Sequence, residues 1–286
     1  MKFTNKYNLP KHICDWLAYD EYDYDPNTIS ATTLIGPARA WALKRLNADK
    51  LTMDYSDLLA VRYGTAIHDS LEKVGVYGEG DFKERRFYAE LMGFQISGKM
   101  DALLGGVIRD NKSTSVWKIV HKEFDDYVKQ LSIYRWLLHK NGIEAAQFAF
   151  IDFFFTDWKK SDAVKGNGYP PLRYQEQRIE LWPLDKTEAY IVERLEEFAF
   201  ALGSLPLCLP EELWQTPTTW AVYRKEGQAR AFRVVNSEEE ANSIAAEIGG
   251  MVAKRPGMAK RCGYCTAAPF CEQYAALKDA GLVDGD

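Results

Sequence analysis

Residues 96–112 have the sequence ISGKMDALLGGVIRDNK, and this stretch decides the predicted fold. Two apolar runs, one containing Asp101 and the other leading to Asp110, are separated by the pair Gly105-Gly106. A glycine pair between two strands favours a tight turn, so the stretch predicts a hairpin that brings Asp101 and Asp110 side by side. Two neighbouring carboxylates repel each other, and a buried pair is tolerated mainly where a divalent cation neutralises it. The hairpin therefore predicts a metal site.

Lys112 adds a cation to this site. It lies two residues after Asp110, so strand alternation points both side chains to the same face of the sheet. Carboxylates that hold a cation, with a lysine that orients water or stabilises developing charge, are suited to metal-assisted hydrolysis of phosphodiesters. An Asp-x-Lys triplet alone is more often a solvated strand end than a site, so the interpretation depends on the flanking segments.

Two helices flank the predicted hairpin. Upstream, GTAIHDSLE predicts a helix from about residue 60 to 73 that carries His68 and Glu72 one turn apart. Glu72 either orients His68 or is a surface residue. Downstream, QLSIY places Gln130 and Tyr134 one turn apart on another helix. Taken alone, His68 also fits a satisfied core histidine, and its company with the two aspartates favours a ligand role.

The order GTAIH, GKMD, RDNK, QLSIY resembles the RecB-type branch of the PD-(D/E)XK nucleases, which includes the nucleases of CRISPR spacer acquisition. The resemblance implies Mg²⁺ or Mn²⁺ at the histidine and the two acidic positions, a catalytic lysine, and a Gln-Tyr helix that supports the site and the DNA. The residues that it nominates are His68, Asp101, Asp110, Lys112, Gln130 and Tyr134.

Three further stretches resemble phage-encoded nucleases of this branch. They are ISATTLIGPAR (29–39), LPLCLPEELWQTPTTWAVYRKEG (205–227) and RCGYCTAAPFCEQY (261–274). The resemblance implies an exonuclease that acts on single-stranded DNA ends in phage replication or recombination, with phage recombination proteins as partners. Three alternatives remain at this point: a catalytically inactive DNA-end-binding module, a structure-specific endonuclease, and a cysteine-metal interaction domain for which the nuclease-like half is a scaffold.

Composition predicts one large α/β domain with a small addition. The chain has 286 residues, of which 47% are hydrophobic and 13% aromatic. The patterns predict a mixed central sheet flanked by helices over residues 1–204, with an N-terminal helical lead-in, and a cysteine-rich segment over 205–286 packed on that core. The net charge of −5 argues against sequence-independent coating of nucleic acid, although basic residues can still line one groove.

The sequence predicts a cytoplasmic protein. No apolar run approaches membrane length, and the opening MKFTNKYNLPKH has no signal-peptide apolar core. For a phage-encoded protein, this location is the cytoplasm of the host cell. The patterns leave open the polarity of cleavage, the choice between DNA and RNA, and the oligomeric state.

Three of the five cysteines lie close together near the end, as Cys262-x2-Cys265-x5-Cys271. Thiols at this spacing in a reducing compartment predict a shared metal, for which Cys208 or Cys14 is the fourth ligand. The CRISPR-branch resemblance implies a 4Fe-4S cluster, but that branch has an N-terminal cysteine where this chain has Gly36. The phage resemblance favours Cys208. Structural zinc is the alternative to 4Fe-4S.

Several charged residues are candidates for contacts with the site or with DNA. Glu84 or Glu90 can add a carboxylate, because strand alternation lets either face Asp101. Basic residues on the first helix, which is predicted to begin near Thr32, and in the loop after Lys112 can contact phosphates, although each also fits a solvated surface. The predicted DNA contacts are Arg39, Arg45, Lys118 and Lys122.

Overall fold

The computed structural model describes residues 2–19, 28–75, 78–166 and 168–283. The strands in chain order are β1 (Lys2–Thr4), β2 (Thr28–Ser30), β3 (Thr52–Asp54), β4 (Phe82–Leu91), β5 (Phe94–Leu104), β6 (Val107–Thr114), β7 (Phe148–Phe155), β8 (Tyr174–Glu180), β9 (Thr219–Tyr223), β10 (Arg233–Val235) and β11 (Met251–Arg255). The acidic part of the predicted lead-in, residues 20–27, lies outside the described residues.

The α-helices are α1 (Lys11–Ala18), α2 (Ala31–Leu34), α3 (Ala38–Leu46), α4 (Leu59–Glu72), α5 (Trp117–Val120), α6 (Asp125–Lys140), α7 (Lys160–Ala163), α8 (Leu184–Gly203), α9 (Glu238–Ile248) and α10 (Glu272–Asp279). Short 3₁₀ turns cover Tyr55–Leu58, Lys260–Tyr264 and Ala268–Phe270. Within the described ranges, no helix has the length and apolar composition needed to cross a membrane.

The chain divides into two compact units. One consists of Met1–Ala38 with Thr52–Gly203, and the other of Arg39–Leu51 with Ser204–Asp286. The division places the predicted nuclease motifs in the first unit, and Cys208 and the closing cysteine triplet in the second.

The first unit is a mixed α/β fold, as predicted, built on a six-stranded sheet. Its strands run in the order β2-β5-β6-β7-β8, and β4 pairs with β5 as well. The β2–β5 and β6–β7 pairs are parallel, whereas β4–β5, β5–β6 and β7–β8 are antiparallel. Helix α6 packs against β4, β5 and α8, and its Trp136 is fully buried together with Phe153 of β7.

The predicted hairpin at the centre of this sheet is confirmed. Leu104 pairs with Val107, and the two turn residues Gly105 and Gly106 have φ of 57° and 74°. Positive φ at both turn positions is the geometry that a two-residue hairpin requires, and glycine adopts it without steric strain. The register pairs residue 102 with 109, so Asp101 and Asp110 occupy the next opposed positions.

The predicted helix beginning near Thr32 is instead two helices, α2 and α3. Pro37 lies between them, and proline lacks the N–H group that would continue the helical ladder. The buried Arg194 binds carbonyl groups exposed by this interruption: its Nε donates to the Leu34 carbonyl at 3.0 Å and its Nη2 donates to the Gly36 carbonyl at 2.5 Å. The polar segment after β6 was predicted to be a loop, and it contains the short helix α5.

The second unit contains a three-stranded antiparallel sheet in the order β10-β9-β11. In this sheet Val222 of β9 pairs with Arg233 of β10. Helix α9 begins after Ser237, the hydroxyl of which accepts a hydrogen bond from the Glu240 N–H at 3.3 Å. The helix ends at Gly249, whose φ is 62°. Val222 and Val235 of the sheet pack on Ala241 and Ala245 of the helix.

Candidate metal centre

His68, Glu84 and Asp101 form a compact group in the first unit. One ligand atom from each residue lies within 4.8 Å of the other two, and among the described residues this is the group of three that could hold a metal ion. His68 Nδ1 lies 3.6 Å from Glu84 Oε1 and 3.5 Å from Asp101 Oδ1. The two carboxylate side chains are mostly buried, with exposed fractions of 10% and 11%. An imidazole nitrogen with two carboxylate oxygens suits a divalent cation such as Mn²⁺.

Three elements meet to form this group. His68 lies on α4, Glu84 in the middle of β4, and Asp101 on β5. The β4–β5 register pairs residue 83 with 102 and residue 85 with 100, so Glu84 lies opposite Asp101. Glu84 has a φ of 48°, which is a strained conformation for a non-glycine residue and costs about 1–3 kcal/mol. Backbone strain of this kind is concentrated at functional sites, where the surrounding structure holds the strained residue in place.

Asn111 of β6 orients two members of the group through its backbone. Its carbonyl oxygen lies 3.1 Å from His68 Nε2, and its N–H donates to Asp101 Oδ2 at 2.6 Å. A hydrogen bond from Nε2–H to this carbonyl leaves Nδ1 as the nitrogen that faces the carboxylates, which is how proteins orient metal-binding imidazoles. Hydrogen bonds to Asp101 and Glu84 raise the pKa of His68 to about 10, so without a metal a proton on the imidazole compensates the carboxylates.

Asp110 and Lys112 form a second, adjoining pair on β6. Asp110 is almost completely buried, and Lys112 Nζ lies 2.6 Å from Asp110 Oδ2. Lys112 therefore neutralises the buried Oδ2 atom through a close ion pair. Burial raises the pKa of Asp110, and nearby Asp101 adds to the shift. Burial alone would lower the pKa of Lys112, but the Asp110 and Asp101 carboxylates outweigh it, so Lys112 is an ammonium ion.

Gln130 and Tyr134 lie next to this pair on α6, as the spacing predicts. Both are buried, and Gln130 Nε2 donates to the Tyr134 hydroxyl at 2.8 Å. Burial, followed by the Asp110 charge, raises the pKa of Tyr134. Helix α6 lies close to β5 at Gly98, where an added Cβ would lie 2.8 Å from Tyr134 Cε1. The absence of a side chain at position 98 therefore permits the close approach of Tyr134 to the sheet.

Two cavities adjoin the candidate metal group. One of about 250 Å³ and another of about 390 Å³ share Glu72, Glu84 and Asp101 in their walls. The sequence left Glu72 as either a residue that orients His68 or a surface residue. In the structure Glu72 is exposed, and the described contacts of His68 are with Glu84, Asp101 and Asn111. The carboxylates of the group are thus accessible from both cavities, which is an arrangement that suits an extended substrate.

Asp152 is a further carboxylate in the wall of the smaller cavity, but the protein already neutralises it. Arg109 donates to its two oxygens at 2.9 and 2.6 Å, and the Tyr174 hydroxyl donates to Oδ1 at 2.7 Å. A carboxylate with this many donors has little remaining capacity for a cation. This contrast distinguishes Asp152 from Glu84 and Asp101.

The four cysteines proposed as ligands lie together in the second unit. Cys208 and Cys262 pack against the same small apolar cluster. Burial raises the pKa of the Cys208 thiol to about 12, and the charges of Glu212 and Cys271 contribute to the shift. Among the described cysteines, no three sulfur atoms lie within 4.8 Å of one another. A tetrahedral zinc site holds its sulfurs about 3.8 Å apart, so binding one zinc ion requires them to move closer.

The surroundings of these cysteines differ from those of Cys14. Gln273 forms two hydrogen bonds with the Cys208 backbone, and Arg39 Nε donates to Cys271 Sγ at 3.2 Å. Cys14 is buried in the first unit, where its sulfur lies 3.4 Å from Asn5 Nδ2 and 3.5 Å from the Leu9 carbonyl oxygen. Cys208 therefore has the contacts expected of a residue that belongs with the closing triplet.

The predicted DNA contacts have different surroundings. Arg39 is 5% exposed and its guanidinium also donates to the Leu205 and Pro206 carbonyls, so its contacts are with the cysteine segment and not with solvent. Arg45 is exposed and lies over the Trp41 ring. Lys118 pairs with Glu123 at 3.1 Å, and Lys122 is exposed. Arg45, Lys118 and Lys122 remain predicted phosphate contacts.

Sequence patterns left the third carboxylate open between Glu84 and Glu90, and the structure brings Glu84 to the group. Glu90 pairs with Gln95 near the Met92-Gly93 turn and is exposed. Counting the register back from this two-residue turn pairs residue 84 with 101 and thus selects Glu84. Lys99 also belongs to these surroundings, although no sequence pattern indicates it: its Nζ lies 2.7 Å from Glu84 Oε2.

The fold and site together define a mixed α/β domain with a candidate divalent-metal centre at its central hairpin. The sequence matches no protein-family profile and no curated protein. Similar solved structures include the protein SSO0001, with 20% identity, a TM-score of 0.44, and coverage of 68% of this chain and 84% of that chain.

Two other similar structures are of proteins described as exonucleases. A phage-related exonuclease from Haemophilus somnus 129PT has 18% identity and a TM-score of 0.33, over 62% of this chain and 94% of that chain. A putative exonuclease from Eubacterium rectale has 12% identity and a TM-score of 0.32, over 66% and 71%. These values describe partial similarity of backbone shape, and the functional assignment depends on the site geometry.

Proposed function

We propose that this chain is a divalent-metal-dependent DNA nuclease of the RecB-type PD-(D/E)XK branch. The observation that carries the proposal is the His68–Glu84–Asp101 group next to the Asp110–Lys112 ion pair. Oxygen and imidazole ligands beside a partly buried ammonium ion are suited to phosphodiester hydrolysis.

Features of the site support metal binding by these residues. His68 is oriented through Asn111 so that Nδ1 faces Glu84 and Asp101, and the buried Asp110 carboxylate adjoins Asp101. We assign His68, Glu84, Asp101 and Asp110 as the residues that would hold Mg²⁺ or Mn²⁺. When bound, the cation supplies Lewis-acid polarisation of the phosphate and lowers the pKa of a bound water.

The remaining residues act through charge and position. Lys112 places a fixed positive charge beside Asp110, where it stabilises the negative charge that develops on the phosphate oxygens in the transition state. The hydrogen bond between Gln130 and Tyr134 fixes the phenol against the sheet, next to the Asp110–Lys112 pair. Asn111 keeps His68 and Asp101 aligned.

The proposed substrate is DNA with single-stranded ends, cleaved as an exonuclease during phage replication or recombination. The three stretches similar to phage nucleases support this choice, and the two cavities that share Glu84 and Asp101 provide space for a strand. The experiment is a time course with 5′- and 3′-labelled single- and double-stranded DNA, with Mn²⁺ or with EDTA. Mn²⁺-dependent release of mononucleotides supports the proposal. Binding without cleavage indicates an inactive end-binding module, and internal cuts indicate an endonuclease.

We further propose that Cys208, Cys262, Cys265 and Cys271 hold a structural 4Fe-4S cluster, with structural zinc as the alternative. The spacing of the closing triplet and the location of all four residues in one unit support a shared metal. Elemental analysis of anaerobically purified protein distinguishes the two metals. About four irons per chain with a brown absorbance supports the cluster, and about one zinc without colour supports the tetrahedral site.

A further inference from the structure

Lys99 is a cation at the candidate metal group that the function proposed above does not use. It lies two residues before Asp101 on β5, so both side chains point to the same face of the strand. Its Nζ lies 2.7 Å from Glu84 Oε2, while the other oxygen of Glu84 faces His68 Nδ1 at 3.6 Å. The Glu84 carboxylate is therefore shared between two positively charged groups.

Lys99 is more exposed than Lys112. Its side chain is 40% exposed and forms part of the wall of the 390 Å³ cavity, together with His68, Glu84 and Asp101. Of these two lysines, only Lys99 is among the described residues that line this cavity. A substrate in the cavity can thus contact Lys99 directly.

The charges around the cavity show why such a contact is needed. Its described lining contains four carboxylates, those of Asp69, Glu72, Glu84 and Asp101, against the cations Lys99 and His68. A phosphodiester anion entering this space is repelled unless cations compensate the carboxylates. A divalent ion on Glu84 competes directly with Lys99 for that carboxylate, and a displaced ammonium needs another anionic partner.

We propose that Lys99 binds a phosphate of the substrate strand. In the metal-free site it neutralises Glu84; once a divalent cation binds Glu84, Lys99 donates to a non-bridging phosphate oxygen of a strand in the 390 Å³ cavity. Thr32 also lines this cavity, and its hydroxyl can donate to the same backbone. This inference rests on the proposed nuclease function and adds a subsite for the substrate phosphate.

The competing explanation is that Lys99 only holds Glu84 in place. The two roles predict opposite effects on metal affinity. If Lys99 competes with the cation, Lys99→Met tightens Mn²⁺ binding about two- to fivefold, the range expected for loss of one partly exposed ion pair. If Lys99 only positions Glu84, the same substitution weakens Mn²⁺ binding.

The test combines Mn²⁺ calorimetry with two DNA measurements. For Lys99→Met we expect tighter Mn²⁺ binding, a KM for single-stranded DNA raised about tenfold or more, and weaker binding of a labelled oligonucleotide in Ca²⁺ by fluorescence anisotropy. Lys99→Arg should keep the KM near the wild-type value. Lys73→Met removes an exposed lysine at the end of α4 and should change none of these quantities.

Weaker Mn²⁺ binding, or an unchanged affinity for the oligonucleotide, would overturn the role of Lys99. Failure of the nuclease proposal is distinguishable from failure of the role of Lys99, because it appears as absent cleavage by the wild-type protein. The calorimetric and anisotropy measurements do not require turnover, so they still decide the role of Lys99 in that case.

Discussion

Lys112 Nζ lies 2.6 Å from Asp110 Oδ2, in a part of the sheet where Asp110 is 1% exposed. An ion pair at this depth is stable only while both charges are present, since removing either one leaves the other unpaired in a poorly solvated place. The pair also adjoins Asp101, which belongs to the candidate metal group. A partly buried cation next to candidate metal-binding carboxylates is the arrangement on which the proposed chemistry depends.

Replacing Lys112 should abolish cleavage while leaving metal and DNA binding in place. We expect Lys112→Ala to lower kcat at least about 100-fold, because the charge that stabilises the transition state is lost. The measurement is steady-state cleavage of labelled single-stranded DNA, combined with Mn²⁺ calorimetry. Full activity in this variant would rule out the site assignment.

The stability of this variant needs its own control. Lys112→Ala leaves Asp110 without its cation, at a cost of about 3 kcal/mol or more. The double variant Asp110→Asn with Lys112→Met removes both charges and should recover most of the melting temperature while remaining inactive. An inactive, fully stable double variant shows that the loss of activity does not come from unfolding.

Asp110→Asn tests whether Asp110 belongs to the metal site. Its carboxylate is almost completely buried and adjoins Asp101 of the candidate metal group, and an amide has a much weaker attraction for a cation. We expect Mn²⁺ affinity to fall at least about tenfold in calorimetry. Asp126→Asn, at an exposed position of α6, is the matched control and should bind as the wild type does. Equal affinity in both variants would remove Asp110 from the ligand set.

Loss of any one ligand cysteine should release the metal and loosen the second unit. We expect Cys208→Ser, Cys262→Ser, Cys265→Ser and Cys271→Ser each to lose bound metal and to lower the melting temperature by several degrees, because metal binding contributes folding free energy. Cys14→Ser is the control and should change neither quantity. Metal retention by Cys208→Ser together with metal loss in Cys14→Ser would show that Cys14 is the fourth ligand.

Asp54 lies away from the candidate metal centre, and its hydrogen bonds predict that the stability of the fold depends on pH. The Lys6 N–H, the Thr4 hydroxyl and the Ser56 groups donate to its carboxylate and hold its pKa well below the ordinary value of 3.8. A depressed folded-state pKa stabilises the fold above the unfolded-state pKa, and this stabilisation is lost as the pH falls through the folded-state value.

Asp54→Asn should therefore lower the melting temperature at pH 7, and the difference from the wild type should shrink as the pH falls below about 4. Melting curves at a series of pH values measure this difference. Asp49→Asn, at an exposed position, should show no comparable difference. A difference for Asp54→Asn that stays constant down to pH 2 would contradict the interpretation.

The hairpin and its aspartates could be predicted from sequence because their signals are local. Gly105 and Gly106 determine the turn, and the turn then determines which residues are opposed. The pairing of Lys112 with Asp110 follows from strand alternation in the same way. Each of these inferences needs only a few neighbouring residues.

The third carboxylate and the surroundings of Arg39 depend on tertiary structure. Glu84 and Glu90 lie on the same face of an ideal strand, so alternation cannot choose between them, and the left-handed backbone at Glu84 has no sequence signal. Arg39 lies on a helix where a solvated face was expected, but it is buried against the Leu205 carbonyl and Cys271, which are distant in sequence. Contacts of this range are not encoded in any local pattern.

The most direct test of the metal centre is calorimetric titration of Mn²⁺ into the wild-type protein, Glu84→Gln and Glu90→Gln. Both substitutions remove one carboxylate from β4, but only Glu84 belongs to the group with His68 and Asp101. We predict saturable binding to the wild type, an affinity at least about tenfold weaker for Glu84→Gln, and an unchanged affinity for Glu90→Gln. Wild-type affinity in Glu84→Gln, or no Mn²⁺ binding by the wild-type protein, would contradict the proposed metal centre.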